Sequence, residues 1–113
     1  MSDVKNTLNE AQFNQLVDEL MFSIEESIED SGADIDYENG AGMLTLTCED
    51  NGSQIILSRQ AAVGEVWLAV KAGGFHFRLI AGKWCNTVSG EPLRSMLADA
   101  CMAQAGQKIE FDF

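Results

Sequence analysis

Residues 23–38, SIEESIEDSGADIDYE, concentrate more potential chemistry than any other part of this sequence. Seven of the sixteen are Asp or Glu, and none is Lys or Arg. A disordered acidic tail, a solvated helix face, a metal site and a docking patch for a basic partner would all use such residues. Carboxylate oxygens suit hard cations, among them Fe²⁺, Fe³⁺, Mn²⁺, Ca²⁺ and Mg²⁺. The stretch has no EF-hand spacing. A cation held here would sit on the surface, bound weakly and sensitive to salt.

Few other residues invite chemistry. His76 is the single histidine, and no nucleophilic triad or phosphate-binding glycine loop can be read around it. It alternates with Phe75 and Phe77, so it faces away from them, where it offers at most one metal ligand. The three cysteines, Cys48, Cys85 and Cys101, form no C-x-x-C pair and read as small buried hydrophobes. Trp67 alternates with Val66 and Leu68 and is expected on an uncovered sheet face, a position that often marks an interface. Arg59 and Gln60 end the preceding strand and are expected close to it.

The charge distribution narrows the partners. Net charge is −11 over 113 residues. Residues 1–58 hold thirteen acids and one base, Lys5, whereas residues 59–113 hold five acids and six bases. Nucleic acid and anionic membranes are poor partners for such a field; cations and basic protein surfaces are good ones. Apolar residues at 46% indicate a globular chain. No apolar run is long enough to span a membrane, and MSDVKNTLNE carries no signal-peptide pattern. A cytoplasmic protein with a single domain over residues 1–113 is expected.

Two helices and a meander must position these residues. Phe13, Leu16, Val17, Leu20, Ile24 and Ile28 recur at helical spacing over residues 11–30, with Gly32 as terminator. On that helix Asp18, Glu25 and Glu29 fall within about 40° of one another, and Glu19, Glu26 and Asp30 form a second row. The like-charged pairs Glu25/Glu29 and Glu26/Asp30 each cost roughly 0.2–0.5 kcal/mol. Glu29 and Asp30 also oppose the helix dipole. From residue 34 the period becomes two, and Ile35 and Tyr37 alternate with Asp34, Asp36 and Glu38. MLTLTC, QIILSR, EVWLAV, FHFRLI and KWCN continue as antiparallel strands, with Asn51-Gly52 marking a hairpin. A second helix follows SGEPL, with Ser89 as its N-cap and Leu93, Met96, Leu97, Ala100 and Cys101 buried. The tail QKIEFDF either packs along the helices or stays partly loose. The expected fold is α+β: a two-layer sandwich with both terminal helices on one face of a five- or six-stranded antiparallel sheet.

At this point the sequence resembles a known family. The order of elements, the acidic first helix, LSRQ at 57–60, EVWLAVKAGGFHFRL at 65–79 and SGEPL at 89–93 are together similar to the frataxin family in its bacterial, CyaY-type form. The likeness runs from about Phe13 to Phe111. It implies an iron-binding protein of iron–sulfur cluster assembly that regulates cysteine desulfurase and scaffold activity as iron donor or iron sensor. No enzyme beyond weak ferroxidase-like behaviour is expected, since the sequence offers no enclosed pocket or acid–base pair. The implied metal ridge is Glu25, Glu26, Glu29, Asp30, Asp34, Asp36 and Glu38, flanked by Asp18 and Glu19 in the same rows. It would take Fe²⁺ or Fe³⁺ weakly, with other cations substituting. The implied partners are a cysteine desulfurase and the iron–sulfur scaffold protein, met through a sheet face that includes Gln60 and Trp67, with Arg59 nearby. A monomer is expected, with metal-promoted oligomers left open. The alternative is an acidic protein–protein interaction module with no metal role.

Overall fold

A computed structural model describes residues 9–113. The expectations placed on residues 1–8, including Lys5, lie outside that range.

Helix α1 spans Glu10–Ser31. Its start is a reciprocal capping box: the Asn9 side chain accepts from the Gln12 backbone N–H, and the Gln12 side chain accepts from that of Asn9. Its end is Gly32 in the left-handed conformation, φ 68°. The apolar stripe faces inward, with Phe13, Val17, Leu20, Met21, Ile24 and Ile28 buried. Leu16 is half-buried at its margin.

Six strands follow: β1 Ile35–Gly40, β2 Met43–Cys48, β3 Gln54–Gln60, β4 Glu65–Val70, β5 Gly73–Ile80 and β6 Lys83–Asn86. They form one antiparallel sheet in chain order, the meander that the alternating pattern predicts. One face packs on the helices through Leu44, Leu46, Ile55, Leu57, Val66, Leu68, Phe77 and Trp84. Among the described residues, no helix covers the other face. Phe13 meets Trp84 edge to face, with ring centroids 6.0 Å apart, so α1 begins over β6.

Helix α2 spans Leu93–Ala105 and ends at Gly106. Pro92, not Ser89, is its N-cap, and no side chain caps it. Ser89 is drawn into the preceding loop, where its Oγ accepts from the Glu91 N–H. Asn86 shapes that loop, its Oδ1 accepting from the N–H groups of Val88 and Ser89. Leu93, Leu97, Ala100 and Cys101 are buried as expected, while Met96 is only half-buried. Buried Gln104 ties the helix end to two turns by accepting from the Lys71 N–H and donating to Ser53 Oγ and the Gln54 carbonyl.

The tail takes the packed alternative. Ile109 and Phe111 are buried. Ser23 donates to the Asp112 carbonyl, and the Asp112 N–H donates to Ser27. Cys48 and Cys101 are buried, and burial raises both thiols, Cys101 to about 12, so neither is a ready nucleophile. Cys85 departs from expectation. It is half-buried because Trp84 and Asn86 take the inward positions of β6.

Candidate functional site

The acidic residues form two banks separated by the edge strand β1. On the helix side, Glu25 accepts from Asn39 Nδ2 at 2.8 Å and Glu29 accepts from the Tyr37 hydroxyl at 2.9 Å. These contacts dock the C-terminal half of α1 beside β1. The Glu29 hydrogen bond, then partial burial and the charges of Glu29, Glu25 and Glu26, raise the Tyr37 phenol above its usual value. Glu26 and Asp30 point to solvent.

On the outer side of β1, Asp36 and Glu38 alternate with inward-turned Ile35 and Tyr37. Asp36 has a neighbour that the sequence pattern left out. Glu49 follows the end of β2, its N–H donating to the Asp34 carbonyl at 3.0 Å. Its carboxyl is raised, first by hydrogen bonding to Asp36 and by the Asp36 charge, and further by Asp34 and Asp50. Asp34, Asp36, Glu49 and Asp50 therefore form an outer bank of carboxylates whose crowding is felt at Glu49. Strand pairing sets this grouping: Ile35 lies opposite Cys48, which puts residue 49 beside residue 34.

Two residues placed with the ridge are differently employed. Asp18 forms an ion pair with Arg59 Nη2, and Glu19 accepts from Gln15 at 3.3 Å. Arg59 also donates from Nη1 to Asn14 Oδ1 at 3.1 Å. Its expected place near Trp67 is thereby corrected. In β3, Ile55, Leu57 and Arg59 share the inward face, so the guanidinium reaches into α1 on the side of the sheet away from Trp67. Its Nε is buried without a partner among the described residues. Gln60 does share the outer face with Trp67, one position along, opposite Glu65.

Trp67 is the hub of a second constellation. Its indole N–H donates to Glu65 Oε1 at 3.0 Å. His76 Nδ1 lies 2.9 Å from the same oxygen, and Arg78 Nε donates to Glu65 Oε2 at 2.9 Å. The Trp67 and His76 rings are 4.4 Å apart between centroids, tilted by 43°. Glu65 is held down to about 2, chiefly by His76 and also by Trp67 and Arg78, against a burial effect that would raise it. The sequence carried the signal for Glu65 and Arg78 only jointly. Positions 65 and 67 share a face, and hairpin register sets 76 opposite 67.

Chemically, the ridge is an open field of hard oxygen donors. Among the described residues no three His, Cys, Asp or Glu side chains converge as a metal cage. Such a surface suits an exchangeable cation that keeps much of its water. A cleft of about 610 Å³ between α1, the β5–β6 hairpin and the tail is lined by Leu16, Leu20, Trp84 and Phe113 among others, and holds none of the ridge residues except Glu19. No described helix is long and apolar enough to cross a membrane.

Fold and surface together define a small two-layer α+β protein whose clustered carboxylates and Trp67 lie at exposed faces. Comparison with known proteins narrows this class. A family model described as "Frataxin-like domain" matches residues 6–107, and the chain belongs to that family. It is 49% identical over 104 residues to proteins of Vibrio parahaemolyticus and Vibrio campbellii, each named iron-sulfur cluster assembly protein CyaY. The match covers 92% of this chain and 99% of each of them. Frataxin from Psychromonas ingrahamii superposes with a TM-score of 0.88 at 38% identity, covering 94% of this chain and all of that one. Trimeric yeast frataxin complexed with ferrous iron superposes with a TM-score of 0.66 at 25% identity, over 89% of each chain.

Proposed function

We propose that this protein serves iron–sulfur cluster assembly as an iron-binding component, taking Fe²⁺ or Fe³⁺ as exchangeable cargo on the α1–β1 ridge. The observation that carries the reading is the uncompensated ridge itself. Glu25, Glu26, Glu29 and Asp30 have no cationic partner among the described residues, although helix stability would favour one. A bound cation supplies the missing charge. The names of the relatives and the ferrous complex of a yeast family member support iron as that cation. Asp34, Asp36 and Glu38 extend the ridge, and Glu49 joins them on the outer side.

The same field attracts a basic protein surface. The cysteine desulfurase of the pathway is assigned to the ridge, and the scaffold protein to the outer sheet face with Gln60 and Trp67. Cation binding reduces the ridge charge, which couples iron level to desulfurase docking. The protein acts in the cytoplasm as a monomer, without turnover of its own.

An anaerobic Fe²⁺ titration followed by amide NMR tests the site. Broadening and shifts are expected within residues 18–38 and at Glu49. Perturbation confined elsewhere overturns the assignment. The absence of a three-ligand cluster among the described residues favours a second reading, an acidic docking module without a metal role. That reading predicts no selective perturbation by Fe²⁺ but a clear one by the desulfurase.

A further inference from the structure

The proposed docking role of the outer sheet face leaves open what holds its aromatic residues in place. Trp67 is 38% exposed, and the His76 and Arg78 side chains are 48% and 55% exposed. Exposed rings on a sheet ordinarily sample several rotamers, and ordering them on binding costs affinity. Here one carboxylate is bonded to both rings. The Glu65 side chain is only 12% exposed, and both of its oxygens are occupied.

The bonds to Glu65 have three consequences. The Trp67 indole N–H, anchored at Oε1, sets the plane of the ring. A neutral His76 must carry its proton on Nδ1 to donate to that oxygen, which leaves Nε2 as an outward acceptor. Arg78 spends only Nε on Glu65, so its two terminal nitrogens have no partner among the described residues. That leaves them for a two-pronged hold on a carboxylate. The surroundings match an anionic group. Residues 65–86 contain Lys71, Arg78 and Lys83 and only one acid, Glu65, in a chain of net charge −11.

We propose that Glu65 is a positioning residue that locks Trp67 and His76 into a rigid, tilted aromatic pair beside the outward edge of Arg78. The pair fits a protein partner that presents a carboxylate to Arg78 and a flat apolar side chain to the exposed part of the rings. This inference rests on the reading that the outer face docks the scaffold protein. It assigns the β4–β6 part of that face the opposite charge preference to the ridge, so one small domain grips a basic surface at its α1–β1 edge and an acidic segment towards its other edge.

Two measurements test it. Long-range ¹H–¹⁵N spectra report the His76 tautomer at a pH where the ring is neutral. The Nδ1–H form is expected in the parent protein and the Nε2–H form, which an unconstrained histidine side chain prefers, in Glu65→Ala. The Nε2–H form in the parent overturns the lock. Calorimetric titration with the purified scaffold protein from the same genome then compares Trp67→Ala, Glu65→Ala and Glu65→Gln. About tenfold weaker binding is expected for Trp67→Ala and for Glu65→Ala. Partial rescue is expected in Glu65→Gln, which keeps an acceptor oxygen and covers the case in which the alanine variant fails to fold. If Trp67→Ala binds like the parent, docking on this face fails. If it binds poorly while both Glu65 variants bind like the parent, docking stands and the positioning role of Glu65 is overturned.

Discussion

The ridge and the Glu65 clamp use the same functional group under opposite conditions. Along α1 and β1, carboxylates face carboxylates, and Glu49 beside Asp36 is raised above its ordinary value. At the clamp, one carboxylate takes three donors and is held down to about 2. The first arrangement leaves charge for an outside cation. The second consumes its charge internally and exports order. Counting acids along the sequence cannot separate the two; counting the donors within reach of each carboxylate can.

The largest test of this contrast is to neutralise the helix bank. Glu25→Gln, Glu26→Gln, Glu29→Gln and Asp30→Asn together keep acceptor oxygens for Asn39 and Tyr37 while removing four charges. Fe²⁺ affinity, read by calorimetry, is expected to fall at least about tenfold, and desulfurase binding to weaken with it. Stability should rise, because two like-charge pairs and a dipole conflict disappear. A gain of about 1 kcal/mol corresponds to a Tm increase of several degrees. A lower Tm would mean that the ridge carboxylates support the fold.

Arg59 tests the boundary between ridge and framework. It holds Asp18 and Asn14 from the inner side of the sheet, and Arg59→Ala removes those bonds from a partly buried site. A loss of about 2 kcal/mol is expected in denaturant unfolding. Asp18 is then released, so Fe²⁺ binding should hold or strengthen as stability falls. Loss of both would place Arg59 in the binding site itself.

Much of this was legible in the sequence because hydrophobic period reports directly on burial. The α1 stripe follows from helical spacing, and the meander and the outward placement of Trp67 and Gln60 follow from alternation. Alternation also places Arg59 inward with Ile55 and Leu57, and the expectation that set it beside Trp67 relied on chain proximity instead. Glu49 and Glu65 were less accessible. Each depends on which residue of a neighbouring strand lies opposite, and register emerges only when turn lengths and strand ends are settled together. Ser89 has the right chemistry for an N-cap, but Asn86 organises the loop first and the helix starts three residues later.

Glu65→Gln gives a smaller effect with a diagnostic pH signature. A carboxylate held near 2 when folded and at about 4.3 when unfolded adds stability above the unfolded value and loses it as pH falls toward 2. With its His76 and Arg78 partners half exposed, solvent screening reduces the gain to about 1–2 kcal/mol. The variant should therefore be less stable than the parent at pH 7. The deficit should close between about pH 4.5 and pH 2. A deficit constant with pH would assign the loss to packing rather than charge.

Glu49→Gln should show the opposite sign and the smallest change. A carboxyl raised in the folded state binds its proton more readily there than in the unfolded chain, so its ionised form opposes folding at neutral pH. Removing that charge is expected to raise the Tm at pH 7. The advantage should fade as pH falls through the raised value and the parent protonates the same site. Fe²⁺ should reproduce the stabilisation in the parent and act less in the variant, since a cation on the outer bank relieves the same repulsion. Equal stabilisation of parent and variant by Fe²⁺ would remove Glu49 from the cation's path and confine binding to the helix side of β1.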